Sequence, residues 1–487
     1  MAERPKDFVE ELPPRSGEGW YQSVIAKAEL ADYSPVRGCM VIRPYGYTLW
    51  EHMQARLDAR FKASGHRNAY FPLFVPESLL LREAEHVEGF SPQVAWVTEA
   101  GGEKLEERLA IRPTSETVIG TMYSKWVQSW RDLPILINQW ANVVRWEKRT
   151  MPFLRTTEFL WQEGHTAHRT AEEAQEETMS ILEMYRDFAE SDLAVPVIPG
   201  RKSESEKFPG ADATYTIEAL MPDGRALQSG TSHNLGQNFA KAFDISFQDI
   251  DGERRNAWTT SWGVSTRILG ALIMVHGDDG GLILPPKVAP TQVVILPIFG
   301  RTDADKALVS EACARLKAQL SADFRVEVDW SEEKQIGWKH NEWTLRGVPI
   351  RLEVGPRDVA GENAVLVRRD DANPGRPEKR SVTWSALNGE VGQVLDAIQG
   401  NLFERACRYR AAMTRSADSF DELAEIMEGP RGFIQAHWCG KGECEERIKD
   451  RTGATIRCLP LAAPAEAGAC IVDGWPSSSR ALFARAY

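Results

Sequence analysis

Two arginine-bearing segments of the sequence have residue types suited to binding a polyphosphate. Val144-Arg145-Trp146-Glu147 has the form apolar–Arg–x–Glu, and Gly263-Val264-Ser265-Thr266-Arg267 precedes an apolar run. The sequence contains neither G-x-x-x-x-G-K-[ST] nor a strand-linked G-x-G-x-x-G, so it has no glycine-rich phosphate cradle. A nucleotide site would therefore use arginine side chains, which are always charged and bind phosphate oxygens through a forked set of donors.

Each segment also has an ordinary structural interpretation. Arg-x-Glu on a strand is usually a surface ion pair, which contributes little to stability. An arginine that follows Gly-x-x-x at the start of a helix is usually part of the helix end. Neither segment alone indicates a function, so the interpretation depends on their order, their spacing and the sequence around them.

The elements predicted around these segments form an α+β unit over residues 1–286. Helical spacing of apolar residues predicts a helix over Tyr47–Ala63, and Tyr70–Val75 is predicted as a buried strand. The other predicted elements are the hairpin Pro134–Trp146 and Phe153–His165, the amphipathic helix Ala171–Ala189, hairpin turns at Pro222-Asp223-Gly224 and Asp251-Gly252, and a helix opened by Trp262-Gly263 that ends at His276. Consecutive hairpins with helices at their margins predict an antiparallel sheet.

A proline-bearing break at Leu284–Pro290 separates this unit from two smaller ones. Strands and helices alternate after the break, which predicts an α/β domain over residues 287–405. Its predicted elements are strands Gln292–Ile298, Arg325–Val328, Ile350–Val354 and Ala364–Arg368 and helices Ala304–Leu320, Gln335–Leu345 and Trp384–Arg410. Residues 406–487 are predicted to form a small C-terminal α+β module that carries a cysteine cluster.

Composition limits the class of protein. The N-terminus has charges of both signs and no apolar core, so it is not a signal peptide, and the most apolar stretch, Ile268–Val275, is too short to span a bilayer. Seven cysteines in 487 residues indicate a reducing compartment with at most one local metal site. We therefore expect a cytoplasmic protein. The net charge of −12 does not suggest RNA binding, although residues 331–380 are balanced, with ten Lys/Arg against nine Asp/Glu.

Longer blocks around the arginines indicate a family. They are Arg112–Thr117, Val144–Glu147, Phe153–His165, Gln228–Asn238 and Thr260–Gly263. In this order they resemble the prolyl-tRNA synthetase family of class II aminoacyl-tRNA synthetases, in its archaeal/eukaryotic form. Val144–Glu147 resembles motif 2 of that class, Gly263–Arg267 resembles motif 3, and the strand around Phe71-Pro72 resembles motif 1. The resemblance implies the class II catalytic fold for residues 1–286 and the class II anticodon-binding fold for residues 287–405.

The resemblance also implies a site for ATP, with magnesium held mainly by the nucleotide and water. Arg145 contacts the α-phosphate and the amino-acid carboxylate, Arg155 faces the terminal phosphates, and Phe159 and Arg267 enclose adenine. Arg145 and Arg267 are the expected catalytic residues. The full expected ATP-binding set is Arg145, Glu147, Arg155, Phe159, Gln228, Thr231, Ser265 and Arg267.

A proline pocket must combine a carboxylate for the secondary ammonium with aromatic walls for the ring. The family's proline-binding residues correspond to Thr114, Glu116, Arg145, Trp161, Glu163, Phe208 and His233. Without the resemblance, core packing is the better interpretation of Trp161 and Phe208. His165 is a weaker candidate that either supports the pocket or is structural.

The second unit resembles the class IIa anticodon-binding domain through Gly337–Trp343 and Arg351–Asp358. Single-stranded bases are read on their edges by charged side chains and stacked on planar groups. The residues expected to contact the guanines of the proline anticodons are Glu342, Arg351 and Arg369. The alternative for each of them is an exposed ion-pair network.

The last unit resembles the family's C-terminal zinc module. The expected ligands of a structural zinc ion are Cys439, Cys444, Cys470 and Asp473, because the family's closing Cys-x-x-Cys has an aspartate here in its final position. Cys458 is an alternative fourth ligand, since zinc accepts four N, S or O ligands. A metal-free tail with reduced cysteines is the other interpretation.

The expected activity is proline–tRNA ligation by a homodimer that uses proline, ATP and tRNA(Pro). Residues 148–262 between Glu147 and Gly263 number 115 and are already assigned to hairpins and a helix, which leaves no room for the editing domain of bacterial-type relatives. Cysteine is expected to be activated by mistake, because small volume differences discriminate weakly. A catalytically silent paralogue is a second hypothesis, and a threonine or serine synthetase is a third that does not explain the Arg112–Thr117 block.

Overall fold

The protein is described by a computed structural model covering residues 12–86, 94–371 and 377–487. Up to residue 290 its helices are α1 Trp20–Lys27, α2 Pro44–Ala63, α3 Glu77–His86, α4 Glu116–Trp126, α5 Ala171–Asp187, α6 Asn238–Phe243 and α7 Arg267–His276. The strands of this part are β1 Ala31–Tyr33, β2 Met40–Ile42, β3 Arg67–Asn68, β4 Phe74–Pro76, β5 Trp96–Ala100, β6 Glu103–Ile111, β7 Ile135–Val144, β8 Glu158–His168, β9 Val197–Arg201, β10 Ala213–Leu220, β11 Ala226–Gly236, β12 Ser246–Gln248, β13 Arg254–Asn256 and β14 Trp258–Ser265.

The core of the first part is an antiparallel sheet in the order β9-β10-β11-β14-β8-β7, with β3 joined in parallel at its edge. This confirms the predicted antiparallel α+β fold. The helix predicted at residue 47 begins at Pro44, where a proline is tolerated because the first helical N–H has no partner in the helix. Its buried side chains include Leu49, Trp50, Met53, Leu57 and Phe61, which follow the predicted apolar spacing.

Two predicted elements differ in the structure. Trp262 and Gly263 do not open a helix but lie in β14, and the helix begins at Arg267. Trp262 is buried against β8, where a Cβ on Gly164 would lie 2.1 Å from its ring, so only glycine fits. The strand predicted over residues 70–75 is limited to Phe74–Pro76, and Tyr70 is 73% exposed. The prediction of a buried strand from residue 70 was wrong because a short apolar run does not show which of its residues are covered.

The second part is a five-stranded sheet covered by helices. Its elements are β15 Val293–Pro297, α8 Asp303–Leu320, β16 Val326–Val328, α9 Ile336–Leu345, β17 Ile350–Val354, α10 Pro356–Ala360, β18 Asn363–Arg368, β19 Arg380–Thr383 and α11 Leu387–Ala412. The strand order is β16-β15-β17-β18-β19, in which β15 pairs in parallel with β16 and β17. This confirms the predicted α/β unit. Helix α11 runs without a break past residue 405 and leads into the last part of the chain.

The last part extends the sheet of the first. Its elements are β20 Thr414–Ala417, α12 Phe420–Glu428, β21 Phe433–His437, α13 Gly442–Thr452, β22 Ala454–Pro460, β23 Gly468–Ala469, β24 Pro476–Ser477 and β25 Arg480–Arg485. Strand β22 pairs antiparallel with β9, so β20, β21, β25 and β22 complete an eleven-stranded sheet. In the described ranges, no helix combines the length and apolar character required to cross a membrane.

Candidate active site

A cavity of about 320 Å³ opens on the face of the antiparallel sheet, over β8, β11 and β14. The helices α4 and α7 contribute their first residues, Glu116 and Arg267. All seven residues expected to bind proline line this cavity, as do six of the eight expected to bind ATP. Arg145 belongs to both sets, so these are twelve different residues: Thr114, Glu116, Arg145, Phe159, Trp161, Glu163, Phe208, Gln228, Thr231, His233, Ser265 and Arg267.

Arg145 and Arg267 face this common space from different segments. Arg145 follows β7, and its Nε donates a hydrogen bond to the Pro113 carbonyl at 3.0 Å. Its guanidinium lies over the rings of Phe159 and Trp161, with 5.7 and 5.4 Å to the ring centroids. The Nε of Arg267 donates to the Leu154 carbonyl at 3.0 Å. Each side chain is held at one edge by a backbone carbonyl, which leaves the other N–H groups for a ligand.

Three cations, Arg145, Arg155 and Arg267, lie close enough for their charges to interact. Burial lowers the pKa of Arg267, and the charges of Arg145 and Arg155 lower it further. Guanidinium stays protonated near neutral pH in spite of such shifts, so the cations repel each other. A polyanion between them would relieve this repulsion.

Glu147 and Arg155, the other two residues expected to bind ATP, do not line the cavity. They form an ion pair of 2.8 Å between Glu147 Oε2 and Arg155 Nε in the connection between β7 and β8. The Arg155 side chain is 50% exposed, so it is accessible to a ligand that extends beyond the cavity. The sequence alternative was an ion pair within Arg145-x-Glu147, whereas in the structure Glu147 pairs with Arg155 and Arg145 Nε bonds to Pro113 O.

At the other end of the cavity, two carboxylates lie among hydroxyl groups. Thr114 Oγ1 donates a short hydrogen bond to Glu116 Oε2. Ser115 Oγ donates to Glu163 Oε1 at 2.5 Å, and Gln139 Nε2 donates to the same oxygen at 2.7 Å. Both carboxylates are buried, so this end of the cavity suits a cationic group of a ligand.

Glu163 and His165 form a buried ion pair, with 3.1 Å between Glu163 Oε2 and His165 Nε2. Burial raises the pKa of Glu163, but the hydrogen bond and charge of His165, aided by Ser115 and Gln139, lower it overall. For His165, burial lowers the pKa, but the hydrogen bond to Glu163 and the charges of Glu116 and Glu163 outweigh burial, so the pKa is raised overall. His165 itself lines the cavity and is the partner that fixes Glu163.

An apolar wall closes the same end. The rings of Phe208 and His233 lie 4.7 Å apart, and His233 Nδ1 is 2.9 Å from Thr214 Oγ1. Burial lowers the pKa of His233 to about 3, with smaller contributions from the charges of His165 and Lys202. His233 is therefore neutral near pH 7. It can line a pocket for an apolar ring without adding a charge.

Sequence reasoning missed Ser115 and Gln139, which hold the Glu163 carboxylate, and Ser261, which lines the cavity. Ser115 lies inside the block Arg112–Thr117 and could have been found there. Gln139 had no motif, and its role follows from strand register, because it pairs with Glu163 across β7 and β8. Ser261 Oγ and Nε1 of the predicted Trp161 are buried at the cavity and have no hydrogen-bond partner in the described part of the chain, so both are donors that a ligand could satisfy.

The three residues expected to contact an anticodon are placed differently from one another. Arg351 lines a small cavity of about 40 Å³, and its Nε donates to Glu353 Oε1 at 3.1 Å. Arg369 also lines this cavity, but its guanidinium forms a forked pair with Asp278 at 2.6 and 2.8 Å. Asp278 follows α7, so this pair joins the second part of the chain to the first.

Glu342 lies in the ion-pair network that was the alternative at the sequence level. Its Oε2 is 2.8 Å from Lys334 Nζ, and its Oε1 is 3.2 Å from the Arg346 guanidinium. The side chain is 18% exposed. Both carboxylate oxygens are therefore engaged within the protein.

The cysteine cluster brings four potential ligands together. One ligand atom from each of Cys439, Cys444, Cys470 and Asp473 lies within 4.8 Å of the others, and Cys439 Sγ is 3.6 Å from Cys444 Sγ. Tetrahedral zinc with bonds of about 2.3 Å separates its sulfur ligands by about 3.8 Å, so these residues fit zinc. Cys458 is outside the group, buried in β22 against Gly200.

Comparison with known proteins agrees with this arrangement. The model of the tRNA synthetase class II core domain (G, H, P, S and T) matches residues 96–276, that of the anticodon binding domain matches residues 292–387, and that of the prolyl-tRNA synthetase C-terminal domain matches residues 420–487.

Curated relatives match along the full chain. A proline–tRNA ligase of Natranaerobius thermophilus is 55% identical over 491 residues, with the whole of both chains covered. A proline–tRNA ligase of Roseiflexus castenholzii is 55% identical over 98% of this chain and 99% of its own. Proline–tRNA ligase 2 of Clostridioides difficile is 53% identical over the whole of both chains. The class II core has two converging arginines, and these relatives are 53–55% identical over at least 98% of the chain. The chain therefore belongs to the prolyl-tRNA synthetase family of class II aminoacyl-tRNA synthetases.

Proposed function

We propose that this protein activates proline with ATP to prolyl-adenylate and then transfers the prolyl group to the 3′ end of tRNA(Pro). The observation that carries the proposal is that Arg145 and Arg267 line one cavity together with Glu116. A nucleotide placed at the arginines and an imino acid placed at the carboxylates meet in this cavity. No other cavity in the described part of the chain need be invoked for the reaction.

In the first step, a carboxylate oxygen of proline attacks the α-phosphorus and pyrophosphate leaves. Little proton transfer is needed, so catalysis consists of positioning and charge stabilisation. Arg145, held on Pro113 and over two aromatic rings, is assigned to the α-phosphate and the carboxylate. Arg267 and Phe159 are assigned to adenine, and Arg155 to the terminal phosphates outside the cavity. Magnesium bound with ATP would neutralise part of the phosphate charge.

Uncharged groups complete the assignment of the ATP site. Gln228, Thr231 and Ser265 lie on β11 and at the end of β14, and all three line the cavity. They are assigned hydrogen bonds to the nucleotide. Glu147 is assigned to the ATP site through Arg155, whose guanidinium it holds.

Selection of proline is assigned to the carboxylate end. Glu116 and Glu163 face the secondary ammonium, with Thr114 orienting Glu116. Trp161, Phe208 and neutral His233 provide walls for the ring. Cysteine is close to proline in size, and a packing difference of this kind discriminates by about 1–3 kcal/mol. Mistaken activation of cysteine therefore belongs to the proposal.

The proposal includes no separate editing domain between motifs 2 and 3. The chain from Glu147 to Gly263 is described throughout, and it forms β8 to β14 with helices α5 and α6. These elements belong to the catalytic sheet and the structure around it. Their placement supports an enzyme that lacks hydrolysis of mischarged tRNA within this interval.

Three functional units follow from these assignments. Residues 1–286 carry catalysis, residues 287–405 bind the anticodon, and residues 406–487 form the module with the structural zinc site. Arg351 is the preferred anticodon contact, because its ion pair with Glu353 uses only Nε, whereas both oxygens of Glu342 and both terminal nitrogens of Arg369 are engaged in ion pairs. Zinc would be held by Cys439, Cys444, Cys470 and Asp473 and would link the segment after β21 to the segment before β24.

A homodimer is proposed from exposed apolar residues at the motif 1 end of the catalytic unit. Tyr70 is 73% exposed and Phe74, four residues further along the chain, is 46% exposed. Large apolar side chains exposed near one another are typical of interaction surfaces.

A reducing cytoplasm is the expected compartment, since all seven cysteines are free.

The division of labour is tested with two substitutions and a control. Arg145→Ala is expected to abolish proline-dependent ATP–pyrophosphate exchange in a folded protein. Arg351→Ala is expected to preserve exchange and to impair charging of tRNA(Pro). Arg131→Ala, at an exposed arginine outside the cavity, is the control and should preserve both. Equal loss of exchange in the first two variants would contradict the assignment.

A further inference from the structure

A cavity lined by three arginines lies apart from the catalytic cavity and from the small cavity at Arg351. Its volume is about 130 Å³, well above the roughly 10–15 Å³ that one water requires. It is enclosed by the segment before α1, the C-terminal end of α7 and helix α11. Among the residues that the structure describes, its charged lining consists of Arg15, Arg405 and Arg410 and includes no carboxylate. We call it the arginine cavity.

Each of the three guanidiniums is fixed by backbone carbonyls. One terminal nitrogen of Arg15 donates to Met274 O at 2.7 Å and to Val275 O at 3.1 Å. Arg405 donates to His276 O at 2.8 Å, and Arg410 donates to Val197 O at 2.8 Å. These bonds position the side chains but use only part of the five N–H donors that each guanidinium has.

None of the three arginines forms an ion pair with a carboxylate in the described ranges. Asp278 is nearby, but both of its carboxylate oxygens accept hydrogen bonds from Arg369. Asp279 accepts a hydrogen bond from the backbone N–H of Arg15. In addition, Arg15 Nε is buried and has no hydrogen-bond partner in residues 12–86, 94–371 and 377–487, which is an unfavourable state for a donor.

Capping of α7 explains part of this arrangement but not all of it. The carbonyls at residues 274–276 end the helix, and cations are favourable at this negative end of the helix dipole. Arg15 and Arg405 supply that stabilisation. Arg410 bonds instead to Val197, which lies outside α7, and it faces the same space. Helix capping therefore does not require the third cation or the open volume between the three.

We propose that the arginine cavity binds a small phosphate-type oxyanion, distinct from the ATP assigned to the catalytic cavity. Several fixed guanidiniums with unused donors match the oxygens of such an anion in charge and geometry. Val195, Leu220 and Val275 give the walls an apolar character, which lowers the local dielectric constant and strengthens the electrostatic attraction. The bound anion would join the segment before α1, the catalytic sheet and α11.

The test is equilibrium dialysis of the full chain with radiolabelled inorganic phosphate at constant ionic strength set with chloride. Arg405→Gln and Arg410→Gln should each weaken phosphate binding roughly tenfold or more, since each removes charged hydrogen bonds. Arg408→Gln is the matched control on α11, because its side chain is 67% exposed and outside the cavity. It should bind phosphate as the unmodified chain does.

A further variant separates this cavity from the catalytic one. Arg145→Ala removes a cation from the catalytic cavity and should leave phosphate binding at the arginine cavity unchanged. The proposal is overturned if phosphate does not bind, if binding is lost in Arg145→Ala, or if Arg405→Gln and Arg410→Gln bind as the unmodified chain does. If Arg405→Gln fails to fold, Arg410→Gln decides the question, because its one backbone contact is not at the end of α7.

Discussion

Glu218→Gln is expected to destabilise the protein strongly, because Glu218 lies in a buried ion triad. Glu218 is fully buried in β10, 2.9 Å from Lys202 Nζ and 3.1 Å from the guanidinium of Arg457 in β22. Lys202 and Arg457 have side chains only 1% and 6% exposed. The triad therefore joins the catalytic sheet to the C-terminal strands.

The expected loss of unfolding free energy is large because the substitution leaves two buried cations. One carboxylate serves two buried cations, so its removal leaves both without an anion. Loss of one partner of a buried pair costs about 3–5 kcal/mol, and here two pairs are lost together. Whole domains are stable by about 5–15 kcal/mol, so the unfolding transition should shift markedly.

Chemical denaturation followed by circular dichroism measures the shift in the first unfolding transition. Glu204→Gln is the matched control, because Glu204 pairs with Lys207 at a side chain that is 69% exposed, and it should change stability by less than about 1 kcal/mol. The triple variant Glu218→Leu, Lys202→Met, Arg457→Met should recover most of the loss, since apolar replacement of a buried ion network is often neutral. If Glu218→Gln behaves like Glu204→Gln, the triad is not buried as described.

Three further predictions concern pH, metal and the contact between units. The pKa of His233 is lowered to about 3, so the unfolded chain takes up this proton at higher pH than the folded chain does. Stability should therefore fall by about 1.4 kcal/mol for each pH unit between 6.5 and about 3, and His233→Gln should remove this part of the slope in denaturation curves. Asp473→Cys should complete a four-thiolate site and increase zinc retained after dialysis against a chelator, measured by elemental analysis; equal retention would argue against Asp473 as a ligand. Asp278→Asn leaves the buried Arg369 without its carboxylate and should cost about 3 kcal/mol in urea denaturation, whereas an unchanged midpoint would show that the forked pair does not hold the units together.

Local periodicity predicted much of the fold. Strand Ile350–Val354 has the predicted bounds, and the helix predicted over residues 47–63 differs only in its first turn. These elements bury residues that recur at the spacing of their own secondary structure. Such a pattern can be seen in the local sequence without knowledge of the tertiary contacts.

Features that depend on distant residues were not predicted. The pairing of β22 with β9 joins segments more than two hundred residues apart, and nothing local to either strand indicates its partner. The helix start was placed at Trp262 because the apolar run was read as one element, whereas β14 pairs along its whole length with β8. Arg369 was expected to face RNA, and its pairing with Asp278 could be seen only in three dimensions.

For the candidate site, most residues chosen from the family blocks lie around one cavity. The motif-like segments carry Arg145, Arg267 and Glu116, and the structure places these three around one cavity. Gln139 was missed because its signal is strand register, which the sequence does not contain. Glu147 and Arg155 were expected from the family blocks, but their side chains pair with each other outside the cavity lining.

The central claim is that one cavity holds both a nucleotide at the arginines and proline at Glu116. ATP–pyrophosphate exchange with the purified chain, measured separately for each standard amino acid, tests it most directly. Exchange should depend on proline, with a lower rate for cysteine, and should disappear in Arg145→Ala. Exchange that requires a different amino acid, or none with proline in well-folded protein, would contradict the account.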